Sequence, residues 1–260
     1  MTEKKSKQKP LVVLVHGWMG DTFHMSKLDE TLNKLGFETL NISYPSTAKK
    51  LDELRDFVVQ EIKKNHQKDQ PIYFIGFSMG GVISRMVIED YPEFKQDLRR
   101  AVFVGSPMAG CELSKYGDML PDFMKVIPGD AILEVKSKAE SWKDKVIDYD
   151  AAVIAGSGGD MFPGADLLLK KKGEKENPVN DSVVRLDETK VKGVSDEITL
   201  PIDHHFMPHG ICVIEQILQY FKHGKFDHTK SYKKEFSPLA FIRSKKKSYN
   251  KLLKTLKLKP

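Results

Sequence analysis

The sequence has no apolar run long enough to cross a bilayer, which argues against a membrane-spanning protein. Its first ten residues, MTEKKSKQKP, contain no hydrophobic stretch, so a secretory signal is not expected. It has two cysteines, Cys111 and Cys212, far apart and outside any metal-ligand or disulfide spacing. Together these absences predict a cytoplasmic protein with two free thiols and no metal. No internal repeat is visible. Basic segments occur, but without interleaved aromatic platforms, so nucleic acid is not an expected partner. Nothing in the pattern calls for an obligate protein partner.

What is present fits a globular chain. The 260 residues are 40% hydrophobic and 30% charged, enough for one large α/β domain or two small ones. The charge is uneven. Residues 222–260 carry 13 Lys and Arg against Asp227 and Glu235, a net of +11, while the whole chain is +6 and the remainder therefore −5. The expected organisation is a basic N-terminal tail (1–10), a folded domain (11–222) and a basic C-terminal tail (223–260). Within the tail, residues 244–260 set Leu252, Leu253, Leu256 and Leu258 among seven lysines. Such a segment either frays into solvent or lies as a basic amphipathic helix on an anionic membrane surface.

The apolar period alternates along the chain. LVVLV (11–15), FETLNISYP (37–45), PIYFIG (71–76), RAVFVG (100–105), AAVIAGS (151–157) and DEITLPI (196–202) read as strands. Residues 24–36, 51–64, 79–91 and 211–221 carry apolar side chains at helical spacing. About six strands alternating with helices predict a mostly parallel sheet covered on both faces. Functional groups in such sheets lie at the carboxyl ends of the strands. Segment 111–148, with Pro121 and Pro128, breaks the alternation: it is either a cap or lid over the strand ends or one or two packed surface helices. Segment 158–180, rich in Gly, Pro, Lys and Asn, reads as a long loop.

One turn stands out. The strand PIYFI runs into GFSMGG (76–81), and a helix runs out of it. A serine on a strand-to-helix turn too tight for flanking Cβ atoms is presented as a nucleophile. It needs a base, an acid to orient that base, and donors for the oxyanion. The loop HGWMG (16–20), leaving the first strand, can supply the Trp18 N–H beside that of Met79, and His16 reads as a core or loop-ordering histidine. The base must lie between the last strand and the last helix, where His204, His205 and His209 all stand. Acid candidates near strand ends are Asp160, Asp166, Asp181 and Asp203. Asp160 follows the 151–157 strand most closely. His24, His66, His223 and His228 read as surface residues.

These pieces, in the order HGWMG, GFSMGG, GSPMAG (105–110), NDSVV (180–184) and DHHFM (203–207), resemble the α/β-hydrolase superfamily, and within it the compact lipase- and esterase-like members. The resemblance implies an α/β-hydrolase fold and a serine hydrolase that cleaves carboxylic esters through an acyl-enzyme, without cofactor. It favours Asp181 as acid and His204 as base, with Ser78 as nucleophile and His205 and Asp160 as alternates. In the relatives the acid loop commonly reads N-D-G-x-V; here Ser182 takes the glycine's place. GSPMAG implies an apolar wall of the site or simply a packed turn. The implied partner is a small-molecule ester or lipid. A thioesterase, or a non-catalytic member that binds a lipid or a partner, is the competing reading.

Overall fold

The computed structural model describes residues 8–114, 131–159 and 165–233. The strands are β1 (Leu11–Val15), β2 (Glu38–Ile42), β3 (Ile72–Phe77), β4 (Leu98–Val104), β5 (Ala151–Gly156) and β6 (Asp196–Leu200). They form one six-stranded sheet in the order β2-β1-β3-β4-β5-β6. Every neighbouring pair is parallel. The helices are α1 (Thr22–Lys34), α2 (Leu51–Asn65), α3 (Met79–Asp90), α4 (Pro92–Asp97), α5 (Ala131–Ser141), α6 (Ala165–Leu168) and α7 (Ile211–His223).

Alternation along each strand builds two cores. Val12, Leu14, Ile75, Val104 and Ile154 point to one face and pack with α1 and α7. Val13, Val15, Phe74, Phe103 and Val153 point to the other and pack with α2, α3 and α5. A strand buried on both faces needs a continuous apolar run, which is why LVVLV carries no polar residue. The covering helices form because their apolar residues recur every three or four positions. In α1 the buried Met25, Leu28 and Leu32 make that stripe, and Asp21 caps the start by accepting from the Phe23 and His24 N–H groups.

From β1 the chain crosses first to β2 and later to β3 on the opposite side. The crevice beyond the carboxyl ends of β1 and β3 is therefore the switch point of the sheet. HGWMG and GFSMGG both leave from there.

Two expectations are corrected. The packed body continues past residue 222: Phe226 is buried against α7, and Gln216 donates to the Asp227 carbonyl at 3.0 Å and to the Tyr232 hydroxyl at 2.9 Å. An amide in the middle of an apolar helix needed partners, and the start of the basic tail supplies them. His66 is not a surface residue: its ring is largely covered, packs edge-on against Phe94 and bonds the Gln70 carbonyl at 2.8 Å. The 244–260 segment and residues 115–130 of the expected cap lie outside the described residues. Among those described, no helix is long and apolar enough to cross a membrane.

Candidate active site

Ser78 sits at φ +54° and ψ −127°, between β3 and α3. An L-residue avoids this region, at a cost of about 1–3 kcal/mol, so the surroundings must impose it. They do so by close packing. A Cβ on Gly76 would lie 2.4 Å from the Gly81 Cα, one on Gly80 2.2 Å from the Val15 and His16 carbonyl oxygens, and one on Gly81 2.0 Å from Ser106 Oγ. Only glycine permits β3 and α3 to press against β1 and β4 at once. The Ser78 N–H donates to the Val104 carbonyl at 2.9 Å, anchoring the turn to β4. The Ser78 side chain makes no helix-capping bond. The Met79 N–H, in the first turn of α3, has no intrahelical acceptor.

Asp181 and His204 meet although 23 positions separate them: Asp181 Oδ2 is 2.8 Å from His204 Nδ1. The carboxylate is fully buried and the imidazole 5% exposed. The other carboxylate oxygen accepts from the Val183 and Val184 N–H groups at 3.0 and 2.7 Å, which fixes its orientation. The His204 N–H donates to the Asp181 carbonyl at 2.8 Å, joining the two loops through the backbone as well. The His204 ring leans on Phe77, with centroids 4.8 Å apart. Gly105, at φ +53°, leaves room for this pair: a Cβ there would stand 3.2 Å from Asp181 Oδ2 and 3.3 Å from His204 Nδ1.

The other candidates are placed differently. His205 bonds Asp203 Oδ1 through Nδ1 at 3.2 Å, and its side chain is half exposed. Asp203 accepts from the His205 N–H at 3.0 Å, and its other oxygen accepts from the Ser182 hydroxyl. Burial alone would raise the Asp203 carboxyl's pKa, but the bonds from His205 and Ser182 outweigh it and hold the pKa below its ordinary value. Asp166 accepts from Asn180 Nδ2 at 2.8 Å. His209 packs at a tilt near Phe23, with ring centroids 6.1 Å apart, rather than lining the cavity beside Ser78. Asp160 lies outside the described residues.

Ser182 has φ +87°, the left-handed backbone for which the relatives' pattern uses glycine. Its hydroxyl gives something back through the bond to Asp203. A left-handed non-glycine residue costs about 1–2 kcal/mol. A hydrogen bond to a charged group contributes about 1.5–3 kcal/mol, and glycine would add about 0.4–1 kcal/mol of unfolded-state entropy. The bond and the entropy outweigh the strain, so Ser182→Gly is expected to destabilise the protein by about 1 kcal/mol in urea denaturation. A stabilised variant would show that the hydroxyl bond contributes little.

His16 orders the neighbouring loop. It is fully buried, stacks on Tyr44 with centroids 4.1 Å apart, and bonds the Gly17 carbonyl through Nδ1 at 2.8 Å. The Tyr44 hydroxyl donates to the His16 carbonyl at 2.5 Å. Burial pushes the His16 pKa below its ordinary 6.5, against the opposing effect of the Gly17 bond. The unfolded chain takes up a proton near 6.5 that the folded chain resists. Stability is therefore full above that pH and declines as pH falls below it, by at most about 1.4 kcal/mol per unit from this group. Urea titrations from about pH 7 to about pH 5 are expected to show a shallower decline in His16→Gln. Equal slopes would contradict a buried neutral His16.

A cavity of about 400 Å3 joins these parts. Gly17, Trp18, Ser78, His204 and His205 line it, and Met19, Leu113, Leu133 and Val183 give it apolar walls. Leu113 and Leu133 belong to the segment expected as cap or packed helices. Glu188 holds the near end of that segment: its backbone carbonyl accepts from the Met108 and Ala109 N–H groups at 2.8 Å, and its carboxylate accepts from the Glu112 N–H. His24 also lines the cavity, besides bonding the Asp21 N–H at 3.2 Å. Nothing in its helical spacing signalled that position. GSPMAG is a packed turn: Met108 is buried and faces away from this cavity.

Comparison with known proteins agrees with this architecture. Residues 5–116 match the family described as "Putative serine esterase (DUF676)". The mature lipase BlEst2 of Bacillus licheniformis superposes with a TM-score of 0.69 at 16% identity, over 85% of this chain and 95% of the lipase. A metagenomic carboxyl esterase, MGS0156, gives 0.57 at 15% identity, over 76% of this chain and 65% of its own. Alpha/beta hydrolase domain-containing protein 10 from mouse gives 0.53 at 13% identity, over 85% and 95% of the two chains. A search of curated proteins finds no match. The chain has the α/β-hydrolase fold, as its motifs predicted.

Proposed function

We propose that this α/β-hydrolase cleaves carboxylic esters, with Ser78 as nucleophile, His204 as general base and acid, and Asp181 as the group that orients His204. The observation that carries this reading is the buried contact of 2.8 Å between Asp181 Oδ2 and His204 Nδ1, in a cavity wall that His204 shares with the strained Ser78. With Nδ1 turned to the carboxylate, Nε2 is the nitrogen left for the serine hydroxyl.

Chemistry follows from those roles. Ser78 Oγ adds to the ester carbonyl as its proton passes to His204 Nε2. The oxyanion accepts from the backbone N–H groups of Trp18 and Met79, and the N-terminus of α3 adds its positive end. The tetrahedral adduct collapses, the C–O bond to the alcohol breaks, and His204 returns the proton to the departing alkoxide. Water then adds to the acyl-enzyme with His204 again taking a proton, and release of the acid restores Ser78.

The cavity lies within the range of about 300–1,000 Å3 usual for small-molecule sites, and its walls are mainly apolar. That size suits short and medium acyl chains. A p-nitrophenyl ester series from acetate to palmitate is expected to give its highest kcat/KM between butyrate and octanoate. A maximum at palmitate would contradict the substrate size, and no hydrolysis of any member would contradict the reading itself.

A further inference from the structure

A second cavity, of about 200 Å3, shares no wall with the first. Arg85 of α3, Met108, Trp142, Lys143, Lys190 and Lys192 line it. Arg85 is 1% exposed. Its Nε donates to Glu89 Oε1 at 2.8 Å, and its guanidinium carbon lies 4.1 Å from the centroid of the Trp142 ring. Its Nη2 is buried with no hydrogen-bond partner among the described residues. Glu89 is already shared, since its other oxygen accepts from Lys145 Nζ at 2.7 Å. The Tyr149 hydroxyl is likewise buried without a hydrogen-bond partner among the described residues.

A buried cationic N–H without an acceptor is costly, and in a native protein it calls for an explanation. The charged residues lining this cavity are all basic. Lys190 and Lys192 pair outside it with Glu197 and Asp144, through side chains that are half exposed. Exposed pairs of this kind hold weakly, and a lysine ammonium on its flexible stem can turn to a better anion.

We propose that this cavity binds a phosphate monoester, held by Arg85 and the three lysines that line it. A phosphate fits better than a carboxylate because it brings about 1.5–2 negative charges and three acceptor oxygens to four cations. The cavity is smaller than the range of about 300 Å3 and upwards that accommodates drug-sized ligands, so the organic part must be short. Trp142 and Met108 supply its apolar contact. The phosphate can come from a soluble monoester or from a phosphatidic acid headgroup.

The test is calorimetric titration of the full chain with inorganic phosphate at low ionic strength, beside flotation with phosphatidylcholine vesicles with and without phosphatidic acid. Wild type and Ser78→Ala are expected to bind phosphate saturably and equally, because the site is not the ester cavity. Lys192→Glu is expected to weaken binding at least about tenfold, and Arg85→Met to abolish it. Circular dichroism checks that Arg85→Met folds; should it not, Lys192→Glu carries the comparison, since its exposed side chain leaves the core intact. Vesicle binding that requires phosphatidic acid and is displaced by phosphate assigns the headgroup as source, and phosphate binding without vesicle binding assigns a soluble monoester. No saturable phosphate binding by wild type, or binding that neither variant weakens, overturns the proposal.

Discussion

Ser78→Ala and His204→Ala are each expected to lower kcat for a p-nitrophenyl ester by on the order of 10⁴–10⁶-fold, while His205→Ala stays within about tenfold of wild type. Nucleophile and base act as a unit, so losing either removes nearly the same stabilisation, and Ser78→Ala/His204→Ala should be no worse than either single change. The contrast between the neighbouring histidines rests on their carboxylates. His204 is covered and bonded to the buried Asp181, whereas the half-exposed His205 is bonded to Asp203. Asp181→Asn is expected to cost less than the loss of Ser78, since it disturbs the imidazole tautomer but leaves the base in place. Should His205→Ala abolish turnover while His204→Ala keeps it, the Asp203–His205 pair would take over the proposed role.

The second large effect concerns stability. Gly80→Ala is expected to destabilise the protein by about 3 kcal/mol or more and to lower Tm by about 10 °C. The added Cβ would stand 2.2 Å from the carbonyl oxygens of Val15 and His16, and neither can move without breaking β1 or the HGWMG loop. Gly173→Ala separates this effect from backbone strain. Gly173 has φ +93° with nothing among the described residues within 4 Å of its would-be Cβ, so only the left-handed strain of about 1–2 kcal/mol remains. Thermal unfolding of the two variants side by side reads the difference. Equal shifts would mean that the turn at Ser78 is looser than its distances imply.

Where local pattern decides structure, the sequence was readable. Continuous apolar runs marked the central strands, helical spacing marked the helices, and glycines around Ser78 marked a turn whose close approaches are now measurable. Position along the chain alone did not distinguish His204 from His205. They are adjacent in one 3-10 turn, and their difference comes from which carboxylate each ring meets across the loop. The same holds for the acid: Asp181 is set apart by the His204 bond and the Val183 and Val184 N–H groups, which spacing from a strand end does not encode. Ser182 was legible as a departure from the relatives' glycine, but its bond to Asp203 spans 21 positions. The phosphate cavity was invisible, because Arg85, Met108, Trp142 and Lys192 come from four separate segments. Non-local packing, not propensity, made each of these features.

The most direct test of the central claim is labelling with a fluorophosphonate probe, read by intact mass and peptide mapping. One adduct per chain is expected, carried by Ser78, absent from Ser78→Ala and formed far more slowly by His204→Ala. No adduct on the wild type, or equal labelling of Ser78→Ala, would contradict the account.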